Sequence, residues 1–345
     1  MSSLLKWSSL PMAGMVSELK FPVPWGHIAA KTWGSPQGRP MLCLHGWLDN
    51  ANSFSRLIPL LSKDYCYLAM DFGGHGLSSH RPTGFPYHFL DYVTEVCRVT
   101  AALKWNQFTL MGHSMGGSVA GMFSCVFPEM VDKLILVESY GFLPAPQGQD
   151  KGPGLGRQKK LNFPLLSRDG PSKSKEHAMW LKSKRQVIER LLSLEDKAQP
   201  PKVRSPQEAL QRLLEANSHL TEESGKILLQ RGATEVPGGL VYNRDMRVLT
   251  HNHDSLTLEQ CAGFLSKMQA SVLMIIARDG IFNHEAKNTT KNFFNPLREE
   301  FQSNLKCFQL AEVNGNHFVH LNEPEVVAGL INNFLKQDQV DKAKL

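Results

Sequence analysis

The sequence predicts an α/β protein whose sheet is mostly parallel and is interrupted by a long helical insertion. Up to about residue 140, short apolar runs that end in Gly, Asp, Ser or Asn alternate with helix-length amphipathic stretches, which is typical of βαβ units. After Ser139 this alternation stops and helical patterns follow one another. The alternation resumes near residue 257, which indicates that the chain returns to the same sheet.

The first part of the chain carries the elements that begin the sheet. Strands are expected at 19–24, 27–33, 41–45, 66–71, 108–113 and 133–138, and helices at 54–61, 89–104 and 115–126. The last part of the chain adds a helix at 257–268, a strand at 271–277, a helix at 285–294, a strand at 307–313 and a helix at 325–336.

The middle of the chain has a different composition. Residues 144–174 are rich in Pro, Gly, Ser and Lys, and helices are predicted at 175–193, 206–219 and 221–231 with no convincing strand among them. We therefore expect residues 143–255 to form a helical insertion. Residues 1–142 and 256–345 are expected to fold together as the core.

Composition excludes several classes of protein. With 42% hydrophobic and 20% charged residues in a chain of 345, the sequence is typical of a globular protein, and no apolar run approaches the roughly 20 residues of a membrane span. The first 19 residues lack the features of a secretory signal. The six cysteines are scattered without a CxxC pair or Cys/His cluster, so we predict no disulfide framework, no metal site and no cofactor.

The net charge of +6 is concentrated in the middle of the chain. Residues 151–255 contain 19 Lys and Arg against 12 Asp and Glu. No nucleic-acid-reading motif accompanies this charge, so a nucleic-acid partner is not expected. Two interpretations remain open: a solvated helical face, or a field that favours anionic substrates.

The strongest chemical signal is Gly112-x-Ser114-x-Gly116, which lies between a predicted strand and a predicted helix. A nucleophile on such a sharp turn needs small residues two positions before and after it, because strand and helix approach too closely for Cβ atoms. The turn also places Ser114 at a helix N-terminus, where N–H groups stabilise developing negative charge. The pattern therefore predicts a serine nucleophile.

This segment resembles the nucleophile turn of the α/β-hydrolase superfamily. That resemblance implies an eight-stranded, mostly parallel sheet with helices on both faces, and an inserted helical cap that covers a pocket for a small acyl substrate. The segment from Leu42 to Trp47 resembles the family's loop after an early strand, which implies an oxyanion hole made by the backbone N–H groups of Trp47 and Met115. In a second family loop, Gly73 stands where proline is usual, which should make that turn less rigid.

Two late segments complete the resemblance. Asp279 ends an apolar strand and His317 follows the last strand, and the chain order Ser, Asp, His is the one that this fold uses. The resemblance thus implies a catalytic triad of Ser114, Asp279 and His317. Glu138, at the end of the strand after the nucleophile, is the alternative acid, and His320 is the alternative histidine, which we expect to be structural.

Further segments, from His45 to Phe54, from Glu138 to Pro144 and from Gly238 to Asp245, resemble the group of serine hydrolase-like proteins within the superfamily. We therefore predict a serine hydrolase that acts on a carboxylic ester or thioester through an acyl-enzyme on Ser114. A non-catalytic binding protein on the same scaffold is the alternative.

The sequence ends in Ala343-Lys344-Leu345, which is similar to the peroxisomal import signal S-K-L. It predicts recognition by the peroxisomal import receptor and a peroxisomal location, with the cytoplasm as the alternative.

Overall fold

Parallel strands dominate the computed structural model, which describes residues 16–142, 173–196, 201–250, 256–284 and 291–342. Within those ranges the strands are β1 (Ser17–Val23), β2 (Gly26–Trp33), β3 (Arg39–Leu44), β4 (Tyr65–Met70), β5 (Phe108–His113), β6 (Val131–Val137), β7 (Ala233–Val236), β8 (Gly239–Tyr242), β9 (Ser271–Asp279) and β10 (Phe308–Asn316). Eight of them form one sheet in the order β1-β2-β4-β3-β5-β6-β9-β10. Within this sheet β4, β3, β5, β6, β9 and β10 run parallel, and β2 pairs antiparallel with both β1 and β4.

The described helices are α1 (Phe89–Leu103), α2 (Met115–Val126), α3 (Lys173–Asp196), α4 (Pro206–Ala216), α5 (Glu222–Gly232), α6 (Leu258–Leu265), α7 (Ile281–His284), α8 (Lys291–Asn304), α9 (Val319–Asn322) and α10 (Glu325–Lys342). Side chains of α1, α2, α6 and α8 join the hydrophobic core on one face of the sheet, and side chains of α10 join the core on the other. Alternate residues of β3 supply the two cores, Leu42 and Leu44 on the first and Met41 and Cys43 on the second. The predicted mostly parallel sheet with helices on both faces is confirmed.

We name residues 143–255, which lie between β6 and α6, the inserted segment, and the structure describes residues 173–196 and 201–250 of it. Its α4 and α5 start at side-chain caps, in which the hydroxyls of Ser205 and Thr221 accept backbone N–H groups at 3.1 and 3.2 Å. Leu213, Leu220 and Leu228 of this segment pack against residues that follow β10. Helices α4 and α5 and the loop between them therefore lie against the loop that follows the last strand.

Three local predictions differ from the structure. Two strands, β7 and β8, pair as a hairpin inside the segment that was expected to be wholly helical. Two short 3-10 helices, Ala51–Phe54 and Ile58–Leu60, replace the helix expected at 54–61, because Pro59 cannot donate the N–H that a longer helix would need. The helix expected at 285–294 is observed at Lys291–Asn304, and residues 285–290 lie outside the described part.

Two further sequence predictions lie partly or wholly outside the described residues. The tail Ala343-Lys344-Leu345 is one, so its recognition by an import receptor stays a prediction. The first part of the inserted segment, 143–172, is the other. Among the described helices, none has the length and apolar character to cross a bilayer. The described side chains also contain no group of three or more His, Cys, Asp or Glu that could hold a metal ion.

Candidate active site

Ser114 lies on a strained turn between β5 and α2. Its backbone has φ +52° and ψ −119°, an unusual conformation for a residue with a side chain. The turn brings α2 almost into contact with β5 and β3, and glycines at positions 112 and 116 make this approach possible. A Cβ added to Gly112 would lie 2.4 Å from the Gly116 carbonyl oxygen, and one added to Gly116 would lie 2.2 Å from the Leu44 carbonyl oxygen. The side chain of Ser114 is half-buried at the end of the sheet.

His317 follows β10 and lies between a hydroxyl and a carboxylate. Its Nε2 is 3.0 Å from Ser114 Oγ, and its Nδ1 is 3.0 Å from Glu138 Oε2. When the Glu138 carboxylate is ionised it can only accept, so the contact then needs the proton on Nδ1 and leaves Nε2 to accept the Ser114 hydroxyl. This is the tautomer that a general base needs.

Glu138 is the acidic residue at His317, whereas the sequence analysis preferred Asp279. Asp279 ends β9 in register with Asn316 and its side chain is exposed. Glu138 follows β6, which lies between the Ser114 strand β5 and β9, and its longer side chain reaches Nδ1 of His317. The alternative acid therefore replaces Asp279 in this arrangement.

The surroundings hold the Glu138 carboxylate tightly. Oε1 accepts the Ala277 N–H at 2.6 Å, and a Cβ added to Gly280 would lie 2.2 Å from Oε2, so the turn after β9 packs directly against the carboxylate. Burial raises the pKa of Glu138 to about 7, and the N–H groups of Ala277 and Ile281 act against this by stabilising the ionised form. Backbone strain accompanies this placement, since Glu138 has φ +48°.

Other imidazoles pack around His317. His113 donates from Nε2 to the His317 carbonyl oxygen at 2.8 Å, and its ring centroid lies 4.7 Å from that of His317 and 4.0 Å from that of His320. His320 contacts the Ser53 hydroxyl at 2.8 Å and lies in the core, in agreement with its expected structural role. Burial lowers the pKa of His317 and of His320 well below the usual value, and the neighbouring imidazoles lower it further.

The two expected oxyanion donors lie in adjacent segments. Met115 is the first residue of α2, where backbone N–H groups have no acceptor within the helix. Trp47 follows β3, and its indole N–H donates to the Val248 carbonyl of the inserted segment at 3.0 Å. His45 holds the segment before Trp47, because its Nδ1 contacts the Gly46 carbonyl at 2.7 Å and its Nε2 accepts a backbone N–H at 3.1 Å. The oxyanion role of these two backbone N–H groups stays a prediction.

Two groups of contacts near the site were not predicted from the sequence. His219 of the inserted segment accepts the backbone N–H of His317 on its Nδ1 at 3.3 Å. Arg231 of α5 donates from Nε to both oxygens of Asp71, at 3.0 and 2.8 Å, and from Nη1 to Glu18. Neither residue belongs to a local motif, so only the fold brings it to its partner.

Comparison with known proteins gives matches over nearly the whole chain. A family model described as alpha/beta hydrolase fold matches residues 39–324. The chain is 48% identical over 335 residues to serine hydrolase-like protein 2 of Homo sapiens, covering 96% of this chain and 98% of that protein. It is 31% identical over 327 residues to a probable serine hydrolase of Drosophila melanogaster, covering 93% of this chain and 88% of that protein.

Solved structures are similar over the same length. A hypothetical protein from Pseudomonas aeruginosa PAO1 superposes with a TM-score of 0.71 at 27% identity, covering 92% of this chain and 99% of that one. A thioesterase domain from the curacin biosynthetic pathway gives a TM-score of 0.68 at 22% identity, covering 92% and 99% of the two chains. At that lower identity the likeness concerns the fold alone.

Proposed function

Because this chain belongs to the α/β-hydrolase fold family, as its motifs predicted, we propose that it is a serine hydrolase with Ser114 as the nucleophile. The observation that carries the proposal is the position of His317, whose ring lies 3.0 Å from Ser114 Oγ and 3.0 Å from Glu138 Oε2. A serine hydroxyl is a weak nucleophile near neutral pH, and this arrangement supplies the base and the orienting carboxylate that it needs.

The proposed reaction is the hydrolysis of a carboxylic ester or thioester. Ser114 Oγ attacks the carbonyl carbon while its proton moves to His317 Nε2, and Glu138 stabilises the imidazolium that forms. The backbone N–H groups of Trp47 and Met115 stabilise the oxyanion of the tetrahedral intermediate.

When the intermediate collapses, the bond to the leaving oxygen or sulfur breaks and the imidazolium returns its proton to that atom. This leaves an acyl group on Ser114. A water molecule, deprotonated by His317, then attacks the acyl carbonyl, and the acid leaves as Ser114 recovers its proton.

Burial of His317 favours the neutral form of the ring, which a general base must have before it accepts a proton. The low pKa that burial imposes keeps the ring neutral and able to accept a proton near neutral pH. The inserted segment, residues 143–255, supports the proposal in a second way, because its Val248 and His219 contact the segments that carry Trp47 and His317. We infer that it acts as a cap over the acyl site.

Covalent labelling with a fluorophosphonate tests the proposal without knowledge of the substrate. The intact protein should be labelled at Ser114 and should hydrolyse a series of acyl esters and thioesters, and Ser114→Ala should lose both activities. Ser118→Ala is the matched control, since Ser118 is buried one turn further along α2. Folded protein that resists labelling and cleaves no member of the series would favour the binding-protein alternative.

A further inference from the structure

A loop of the inserted segment, between α4 and α5, is bound to the loop that carries His317. The carbonyl oxygen of His219 accepts from the side-chain amides of Asn316 at 2.9 Å and Asn322 at 2.8 Å. Asn322 Oδ1 in turn accepts the backbone N–H and the hydroxyl of Thr221, both at 3.2 Å. We name these four residues, His219, Thr221, Asn316 and Asn322, the His317 clamp.

The amide of Asn322 is the centre of the clamp. Its Nδ2 donates to the His219 carbonyl and also to Asn316 Oδ1 at 3.0 Å, while its Oδ1 accepts twice from Thr221. Both donors and both acceptor positions of the amide are thus in use, and the side chain is only 7% exposed. An isosteric carboxylate could not replace this amide, because it would place an oxygen in the position of Nδ2. That oxygen would face the His219 carbonyl oxygen and Asn316 Oδ1, which are both acceptors.

The clamp reaches the backbone of the proposed base. His219 Nδ1 accepts the N–H of His317 at 3.3 Å, and from the opposite side His113 donates to the His317 carbonyl at 2.8 Å. Both backbone polar groups of His317 are therefore held by imidazoles, one from the inserted segment and one from β5. The ring of His317 then has little freedom to leave the position between Ser114 and Glu138.

We propose that His219 is a positioning residue for His317, held in place by Asn322, so that the inserted segment sets the geometry of the base as well as covering the site. This inference rests on the proposed function, since it concerns the same histidine. Misplacing a reacting group by about 1 Å can lower a rate about 100-fold, so a contact that fixes the His317 backbone has a direct effect on the chemical step.

Apolar contacts join α4, α5 and the loop between them to the segment that follows His317. Leu213, Leu220 and Leu228 of the inserted segment pack with Phe318 and Leu321, which follow the proposed base. Leu321 is fully buried in this cluster and Leu220 is 8% exposed. Packing of this kind makes the two loops move together, so a shift of the inserted segment is transmitted to the backbone next to His317.

Three substitutions separate positioning from simple packing. His219→Phe keeps an aromatic ring and removes the acceptor for the His317 N–H, whereas His219→Asn supplies a side-chain oxygen that can accept it. Asn322→Asp keeps the shape of the side chain and replaces the donor Nδ2 by an oxygen that accepts hydrogen bonds. Asn332→Asp is the matched control, because Asn332 Nδ2 also donates to a carbonyl, that of Leu60 at 3.0 Å, in α10 on the other face of the sheet.

The readout is the second-order rate constant for fluorophosphonate labelling of Ser114, with folding checked by circular dichroism. His219→Phe and Asn322→Asp should lower it about 10- to 100-fold, while His219→Asn recovers most of the loss and Asn332→Asp leaves it unchanged. Equal rates in His219→Phe and the intact protein, or equal losses in His219→Phe and His219→Asn, would overturn the proposal. If Asn322→Asp does not fold, the pair of His219 variants decides.

A spectroscopic measurement keeps this test separate from the proposed function. In protein with 15N-labelled histidine, the Nδ1 proton of His317 should give a downfield resonance through its hydrogen bond to Glu138. The resonance should persist in Asn332→Asp and disappear in His219→Phe. If the intact protein is not labelled at Ser114, the proposed function is wrong. The positioning role of His219 is then tested by the resonance alone: its loss in His219→Phe supports that role, and its persistence in His219→Phe contradicts it.

Discussion

The side chain of Glu138 bridges two parts of the site, because one carboxylate oxygen accepts the Ala277 N–H at 2.6 Å and the other lies 3.0 Å from His317 Nδ1. Glu138→Gln can keep the first contact only by turning its NH₂ group toward Nδ1, which favours the wrong tautomer of His317. We expect labelling of Ser114 to slow by about 10³- to 10⁴-fold, the size of the corresponding effect in serine proteases.

Asp279→Asn is the control for this substitution, since Asp279 is exposed at the end of the neighbouring strand. Its labelling rate should equal that of the intact protein. The reverse result, a large loss in Asp279→Asn with Glu138→Gln unchanged, would restore the acid that the sequence analysis preferred.

The difference between these two acids shows what sequence patterns can and cannot predict here. Ser114 and His317 were placed by local signals, a glycine-flanked turn and a loop after the last strand. The choice between Glu138 and Asp279 depends on which of two neighbouring strand ends lies beside Nδ1. That is a distance across the sheet, and no local pattern encodes it.

His75 is a buried histidine in the loop after β4. It is 1% exposed, and its Nδ1 lies 3.1 Å from the Gly73 carbonyl oxygen. Burial lowers the pKa of His75 to about 4 in the folded state, whereas in the unfolded state the ring is protonated below about pH 6.5. Between these two values His75 is therefore neutral in the folded protein and charged in the unfolded chain. Its contribution to stability is therefore complete above the unfolded pKa and is lost as the pH falls from about 6.5 toward 4.

Between pH 7.5 and 5.5 this group should lower the free energy of unfolding by about 1.4 kcal/mol. Urea denaturation of the intact protein and of His75→Asn at both pH values measures it, because other buried groups titrate alike in both proteins. The variant should lose less stability on acidification. Equal losses would mean that His75 titrates normally in the folded state.

At the scale of elements, the β7–β8 hairpin was missed because its signals are weak and its support is tertiary. Both strands have four residues, and all of their hydrophobic side chains are at most half-buried. Arg204 exchanges two backbone hydrogen bonds with Leu240, at 3.0 and 2.7 Å, which extends the pairing to a distant part of the chain. A four-residue strand supported in this way leaves little periodicity in the sequence.

The loop after β4 shows why a family pattern can change at one position. Gly73 stands where proline is usual, and its N–H donates to Glu95 Oε2 of α1 at 2.8 Å. Proline would remove this donor from a buried carboxylate. The loop therefore gains an anchor to α1, and the expected loss of rigidity is offset by that contact.

Gly73→Ala tests this anchor. An added Cβ would lie 2.6 Å from Glu95 Oε1, so the carboxylate must shift, at a cost of about 1–3 kcal/mol in the free energy of unfolding. Gly263→Ala in α6 is the control, because its added Cβ meets nothing within 4 Å and alanine should stabilise the helix by about 1 kcal/mol. Chemical denaturation measures both, and similar effects of the two substitutions would contradict the anchor.

At the scale of the whole molecule, the sheet and its two hydrophobic faces were predictable because strand and helix periodicities repeat along the chain. The attachment of the inserted segment was not, since it depends on single polar residues that meet across long sequence separations. Asn50 and Asn52, for example, donate to the carbonyls of Leu228 and Ile227 in α5, each at 2.9 Å. Such contacts appear only once the fold is known.

Arg231 adds a buried charge to these attachments, with 3% of its surface exposed. It joins α5 to Asp71, which is fully buried after β4, and to Glu18 on β1. Asp71 also accepts the backbone N–H groups of Ala51 and Leu77, at 2.7 and 2.8 Å. One carboxylate thus holds two loops of the core together with the inserted segment.

Replacing Arg231 by Met should therefore destabilise the molecule strongly, because it leaves the buried charge of Asp71 without its cation. Breaking a buried ion pair from one side costs about 3–5 kcal/mol, whereas removing both charges costs much less. We expect Arg231→Met to lower the free energy of unfolding by that amount and Arg231→Met with Asp71→Asn to recover part of it. Arg185→Met, in an exposed pair with Glu189 on α3, should have no measurable effect, since water already solvates both charges. Urea denaturation of the three variants gives the comparison, and a double variant no more stable than Arg231→Met alone would show that Asp71 does not depend on the arginine for its burial.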